Sequence, residues 1–168
     1  MRDAEKKIWE RGALAGECAR LRTAGRKVVF TNGCFELMHA GHATYLEFAR
    51  AQGDVLVVGL NTDASVRRHK GEKRPIVDER NRARMMAALE CVDYVTGFDE
   101  DEPKELIAEL QPDVLVKAED WAHYVSGRDI VEARGGKVVL APMVAGLSTT
   151  KLIEKIVGGY GGGNKARC

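Results

Sequence analysis

Short, almost wholly apolar runs alternate along this chain with longer stretches whose apolar residues recur every three or four positions. The runs fall at residues 27–31, 54–60, 94–96, 114–116 and 137–140, and each reads as a strand. A parallel strand covered by helices on both sides has no polar face to show, so it appears as a continuous apolar block rather than an alternation. Helical spacing fills the intervals. Residues 4–23 carry Ile8, Leu14, Cys18 and Leu21 as one stripe, and a helix from about Ala43 to Gln52 presents Tyr45, Leu46, Phe48 and Ala49 before Gly53 ends it. A short helix is predicted from Asp63, one capped by Asp78 reaches about Glu90, and one ends near Leu110. Residues 126–134 follow as helix, Gly135-Gly136 as a turn, and a last helix capped by Ser148 ends near Val157. Strand and helix in strict alternation predict an α/β fold, a Rossmann-like doubly wound parallel sheet of about five strands.

Length bounds the organisation: 168 residues suffice for one domain with a proper core. The pattern places that domain at residues 1–157, with the helix of residues 1–24 packed on it, and leaves 158–168 as a glycine-rich, flexible tail. A formal net charge of +1 supplies no electrostatic footprint for nucleic acid and no pull toward an acidic membrane. Cys18, Cys34, Cys91 and Cys168 are widely spaced with no CxxC pair, which speaks against a zinc site or a disulfide framework. Cys34 reads as packing. The first 24 residues lack a signal-peptide pattern and no run reaches membrane-spanning length, so a soluble, cytoplasmic protein is expected.

The chemistry concentrates after the first strand. Thr31-Asn32-Gly33 closes that strand with turn residues, and His39-Ala40-Gly41-His42 opens the next helix. In open α/β sheets ligands bind at the carboxyl ends of the strands, and a helix N-terminus favours phosphate. Two imidazoles around a glycine at that place predict a phosphate-handling site, with Gly41 permitting close approach to the backbone. A second anion site is predicted where Ser148, Thr149 and Thr150 open the last helix, since hydroxyls join free N–H groups there. Arg67 to Pro75 gathers five Lys and Arg residues in what reads as a basic loop after the second strand. Asp63 reads either as a helix cap or as a residue near the nucleotide, and residues 99–102 as a solvated acidic stretch.

The motif HAGH resembles the HxGH signature of the cytidylyltransferase-like nucleotidyltransferases, a branch of the HIGH superfamily. The likeness extends from about Lys27 to Ile156, through TNGCFELMHAGH, GLNTDASVRRHKGEKRP, DVLVKAEDW, GRDIVEARGGKVV and LSTTKLIEKI. Within the family the chain is most similar to the adenylyltransferase domain of bacterial heptose biosynthesis. That resemblance implies AMP transfer from ATP to D-glycero-beta-D-manno-heptose 1-phosphate, giving ADP-heptose and pyrophosphate for a cell-surface glycan such as lipopolysaccharide. Cytidylyl transfer to glycerol 3-phosphate, adenylyl transfer to flavin mononucleotide, and a nucleotide-binding module without turnover are the alternatives.

The resemblance also implies roles. His39, His42 and Lys70 would act on the transferred phosphoryl group, and Thr31, Asn32, Gly33, Phe35 and Gly41 would approach the nucleotide. Asn61 and Asp63 would lie near its sugar or base, and Ser148, Thr149 and Thr150 would hold the triphosphate. Arg74, Lys117, Asp120 and Trp121 would meet the acceptor, with Arg82 a lesser candidate. Where relatives carry Asp after the phenylalanine this chain has Glu36, and where heptose-specific relatives show KGGDY it has Lys117-Ala118-Glu119-Asp120-Trp121. Magnesium would arrive on the ATP, since no dense carboxylate cluster suggests a protein-built cage. The partners implied are ATP, a small phosphorylated sugar, and further copies of the chain in a homodimer or larger homo-oligomer, with neither nucleic acid nor membrane.

Overall fold

A computed structural model describes residues 3–160. Five parallel strands, β1 (Val28–Gly33), β2 (Val55–Asn61), β3 (Tyr94–Phe98), β4 (Val114–Ala118) and β5 (Lys137–Ala141), lie in the order β3-β2-β1-β4-β5. The chain builds outward from β1 to β3, then crosses to the other side of β1 for β4 and β5. That reversal leaves a crevice between the carboxyl ends of β1 and β4, the place where open α/β sheets bind ligands.

Alternate residues of each strand feed opposite faces. Val29, Leu56 and Val58 pack beneath α2 (Ala40–Arg50) and α4 (Glu79–Ala88), with Leu46, Ala49, Met86 and Ala87. Val28, Phe30, Val55 and Val57 pack on the other face, against Leu14, Cys18 and Leu21 of α1 (Arg11–Thr23) and Leu106, Ile107 and Leu110 of α5 (Lys104–Leu110). Two-residue periodicity within apolar strands thus yields two cores, as expected for a sheet covered on both sides. The remaining helices are α3 (Asp63–Lys70), α6 (Arg128–Ala133) and α7 (Thr149–Tyr160).

Several predicted boundaries shift for physical reasons. The helix expected over residues 4–23 is interrupted: a 3-10 turn spans Ala4–Lys7, and Ile8 then bridges to Val95 while the Trp9 N–H donates to the Val95 carbonyl at 2.9 Å. Backbone pairing there covers the outer edge of β3, a demand that helical periodicity does not report. Ile8 is therefore an edge residue and not part of the α1 stripe. Strands β1, β3 and β4 run two residues further than expected, because pairing continues through Gly33↔Leu60, Asn61↔Phe98 and Ala118↔Ala141. Residues 67–70 of the expected basic loop belong to the last turn of α3, where cations face the negative helix end. The acidic stretch is paired as well: Arg68 meets Asp99 and Asp101, and Arg11 meets Glu100. Helix α7 continues through Gly158 and Gly159 to Tyr160, so those residues are helical, whereas the rest of the expected tail, with Cys168, lies outside the described residues. Among the described residues no helix is long and apolar enough to cross a membrane.

Candidate active site

The crevice between β1 and β4 opens into a cavity of about 370 Å³. Its floor is the turn from β1 to α2. Phe35 sits in that turn with φ +42°, a left-handed conformation rare for a phenylalanine, and its ring meets the His42 ring edge-on at 5.5 Å. His39 and His42, one turn apart at the start of α2, stack at 3.8 Å between ring centroids. Gly41 makes this stacking fit: a Cβ there would lie 3.0 Å from His39 Nδ1 and 3.5 Å from Leu147 Cβ. The absent side chain thus leaves room for an imidazole.

Both Nδ1 atoms are buried without a hydrogen-bond partner in the described structure. Buried polar atoms of this kind ask for a ligand or water. Burial, assisted by the neighbouring His39 and Lys70, pushes His42 down to about 4, so at neutral pH it is an uncharged imidazole. An arriving polyanion would reverse that preference, since negative charge favours the imidazolium.

The opposite wall comes from β4 and the segment between β5 and α7. The Lys117 ammonium donates to Asn32 Oδ1 at 3.0 Å and lies 5.5 Å from the Trp121 ring centroid. Burial depresses it to about 8, a cost that Asp120 only partly offsets. Glu119 does not line the cavity. It accepts the Met143 N–H at 2.9 Å and so ties β4 to the loop before α7. Ser148 Oγ accepts the Lys151 N–H at 3.2 Å as a helix cap, and Ser148, Thr149 and Thr150 all line the cavity.

Of the residues singled out from sequence, His39, His42, Lys70, Asn32, Gly33, Phe35, Gly41, Ser148, Thr149, Thr150, Lys117, Asp120 and Trp121 line this one cavity. Thr31, Asn61, Asp63 and Arg74 do not. The Thr31 hydroxyl meets the Tyr45 phenol at 2.7 Å, and Asn61 donates to Ser65 Oγ at 3.0 Å. Asp63 is not the helix cap: Thr62 accepts the Ser65 N–H, while the Asp63 carboxylate receives Arg82 at 2.7 Å. Arg74 is committed to Glu36. Arg82 is wholly buried, with its guanidinium spread over Asp63, Val77 and Cys34.

Sequence reasoning missed Tyr45 and the apolar segment Pro142, Met143, Val144 and Leu147, all of which line the cavity. Tyr45 OH donates to the Val116 carbonyl at 3.1 Å, strapping α2 to β4, and burial raises its phenol to about 12. One signal lay in its position three residues after His42, on the same helical face. The Pro142–Leu147 segment has no periodicity to betray it.

The family model described as cytidylyltransferase-like matches residues 30–155, three quarters of the chain. The chain belongs to the cytidylyltransferase-like family. It is 56% identical over 160 residues to "Bifunctional protein HldE" of Citrifermentans bemidjiense and 54% identical over 160 residues to the protein of the same name from Trichlorobacter lovleyi. Each match covers 95% of this chain and 33% of the relative, so the chain spans about a third of the length of these curated relatives. Among solved structures, the lipopolysaccharide core biosynthesis protein of Thermoplasma volcanium superposes with a TM-score of 0.59 at 27% identity, covering 71% of this chain and 98% of that one.

Proposed function

We propose that the chain transfers AMP from ATP to a sugar 1-phosphate, with D-glycero-beta-D-manno-heptose 1-phosphate as acceptor, releasing pyrophosphate and ADP-heptose. One observation carries this reading. Two helix N-termini, a pair of imidazoles and two lysines converge on one cavity at the switch point of the sheet. Such an array suits a triphosphate and a second phosphate held side by side. The names of the relatives and the likeness to the heptose adenylyltransferase domain support the choice of acceptor.

In this reading an acceptor phosphate oxygen attacks the α-phosphorus, the α–β bridging bond breaks, and pyrophosphate leaves with that electron pair. The chain supplies alignment and charge, with no covalent intermediate. His39 and His42 donate N–H groups to the phosphoryl oxygens, and Lys70 offsets charge as it develops. The α7 N-terminus, with Ser148, Thr149 and Thr150, holds the leaving phosphates, and Met143, Val144 and Leu147 give a base an apolar wall. Lys117 meets the acceptor phosphate, which restores its full charge, while Asp120 and Trp121 meet the sugar. Glu119 faces Met143, so the departure from the relatives' glycines adds no repulsive charge to the acceptor side.

Among the described residues no three His, Cys, Asp or Glu side chains converge to hold a metal. Magnesium fits as part of the substrate, held by phosphate oxygens and water, where it neutralises triphosphate charge. With ATP as donor, the reaction belongs to the cytoplasm. The residues fit a single catalytic domain over 1–157, which can work as a homo-oligomer.

Pyrophosphate release tests the proposal, crossing ATP and CTP with heptose 1-phosphate, glycerol 3-phosphate and flavin mononucleotide. Release with ATP and the heptose phosphate alone is the expected result. Release only with another pair would overturn the substrate assignment, and binding of ATP without release in any pairing would favour a binding module.

A further inference from the structure

Glu36 is the most deeply buried carboxylate of the cavity, 4% exposed, in the turn three residues before His39. A negative charge beside a polyphosphate site would repel the ligand unless it were neutralised. Its Oε2 accepts Arg74 Nε at 2.6 Å and pairs with a second guanidinium nitrogen, while Oε1 accepts the Ile76 N–H. Burial alone would raise this carboxyl, but the Arg74 and Ile76 hydrogen bonds and the charges of Arg74 and Lys70 outweigh it and hold it low. Glu36 is thus ionised and fully engaged, and every bond it makes crosses to one segment, the loop of residues 71–77 between α3 and α4.

That loop begins at Gly71, the residue after Lys70, where φ +90° turns the chain sharply away from α3. Lys70 lines the cavity, and its charge reaches both His42 and Glu36. Arg82 ties the same parts from beneath. Its Nη1 donates to the Cys34 carbonyl at 2.7 Å in the histidine turn, its Nε to the Val77 carbonyl at 3.0 Å, and its Nη2 to Asp63 at the start of α3. The histidine turn and the loop following Lys70 are therefore joined by charged bonds at two levels.

We infer that Glu36 is a positioning residue: its carboxylate pins the 71–77 loop to the β1–α2 turn and so sets Lys70 relative to His39 and His42. This rests on the nucleotidyl-transfer reading, and it gives Arg74 a different part from the acceptor contact expected from sequence. Arg74 neutralises and holds Glu36, which lets an anionic ligand enter beside a carboxylate. Its role is one of geometry, because both carboxylate oxygens are already engaged by Arg74 and Ile76.

The test uses Glu36→Gln, Glu36→Asp, Lys70→Ala and the double variant Glu36→Gln/Lys70→Ala. It reads pyrophosphate release with ATP and heptose 1-phosphate, and amide hydrogen exchange over residues 71–77. Glu36→Gln should lower kcat about 10- to 100-fold, the scale of a misplaced catalytic group, with KM for ATP within about threefold. Glu36→Asp should recover part of that loss. In the Lys70→Ala background the Glu36→Gln change should cost less than about threefold further, because Lys70 is the group it positions. Loop exchange should quicken in Glu36→Gln without any substrate.

A Glu36→Gln enzyme with unchanged kcat and unchanged loop exchange would overturn the inference, as would an undiminished loss in the Lys70→Ala background. Should Glu36→Gln fail to fold, Glu36→Asp with and without Lys70→Ala gives the same comparison. Silence of the unaltered protein with every acceptor would instead overturn the transfer reading, and the exchange comparison would still decide whether Glu36 holds the loop.

Discussion

The two walls of the cavity are built differently. On the β1–α2 side, Phe30 and Thr31 are fully buried, Tyr45 straps α2 to β4, and Glu36 and Arg82 bind the turn to the following loop. On the β5–α7 side, Met143, Val144 and Leu147 are exposed, no described residue of α7 is buried, and few bonds fasten the segment: the Glu119–Met143 contact, the Ser148 cap, and Thr149 Oγ1 to the Leu37 carbonyl at 3.5 Å. The contrast teaches which half is ready before substrate arrives. The histidine wall is fixed by folding, whereas the α7 wall has few contacts of its own. Order on the first side costs buried charge and a left-handed Phe35. Fewer ties on the second leave that wall the more easily displaced of the two.

Breaking the fixed wall should have the largest effect. His39→Ala and His42→Ala should each lower kcat by about 10²- to 10³-fold, the scale of a lost oxyanion donor, while ATP binding by calorimetry changes little. Tyr45→Phe removes a buried hydroxyl linking Thr31 to Val116 and should destabilise the fold by about 1–3 kcal/mol in denaturant unfolding. The same substitution made at exposed Tyr160 should change stability by less than about 0.5 kcal/mol.

Charge sharpens the comparison at intermediate scale. Lys117 titrates at about 8 when folded, below its ordinary 10.5, so between those values the unfolded chain holds more protons. Stability from this group therefore rises as pH climbs from 8 to 10.5, and its full cost is present below 8. Lys117→Met should flatten that rise and raise Tm at pH 7 by about 2–4 °C, a gain near 1 kcal/mol, while KM for the acceptor increases. His42 behaves likewise in acid: with its folded value near 4 against 6.5, stability falls as pH drops from 6.5 to 4, and His42→Gln should remove that slope in thermal melts. The smallest effect belongs to the α7 wall. Glu119→Ala should cost below about 1 kcal/mol, with KM for substrate shifting more than kcat.

Much of the fold was legible because parallel strands and amphipathic helices write different periods. Val28–Phe30 and the second strand, almost wholly apolar, could hardly be anything else. The Ile8–Val95 bridge was not legible, since backbone pairing at an edge leaves no mark on side-chain spacing. At the site, HAGH and Ser148-Thr149-Thr150 announced themselves through turn and cap chemistry. Asp63, Arg74 and Arg82 did not, because a charged residue in sequence looks the same whether it faces substrate or another charge 2.7 Å away. Only the fold shows that Arg74 already has Glu36 and that Arg82 is buried. Lys117 is the instructive exception, a cation with no carboxylate at bonding distance among the described residues and a cavity in front of it.

The most direct test is the fate of label in a single turnover with heptose 1-phosphate. Attack at the α-phosphorus should carry label from α-³²P ATP into the sugar nucleotide, while γ-³²P label leaves entirely in pyrophosphate. Label from γ-³²P ATP in the sugar product would contradict nucleotidyl transfer and require a different reaction at this cavity.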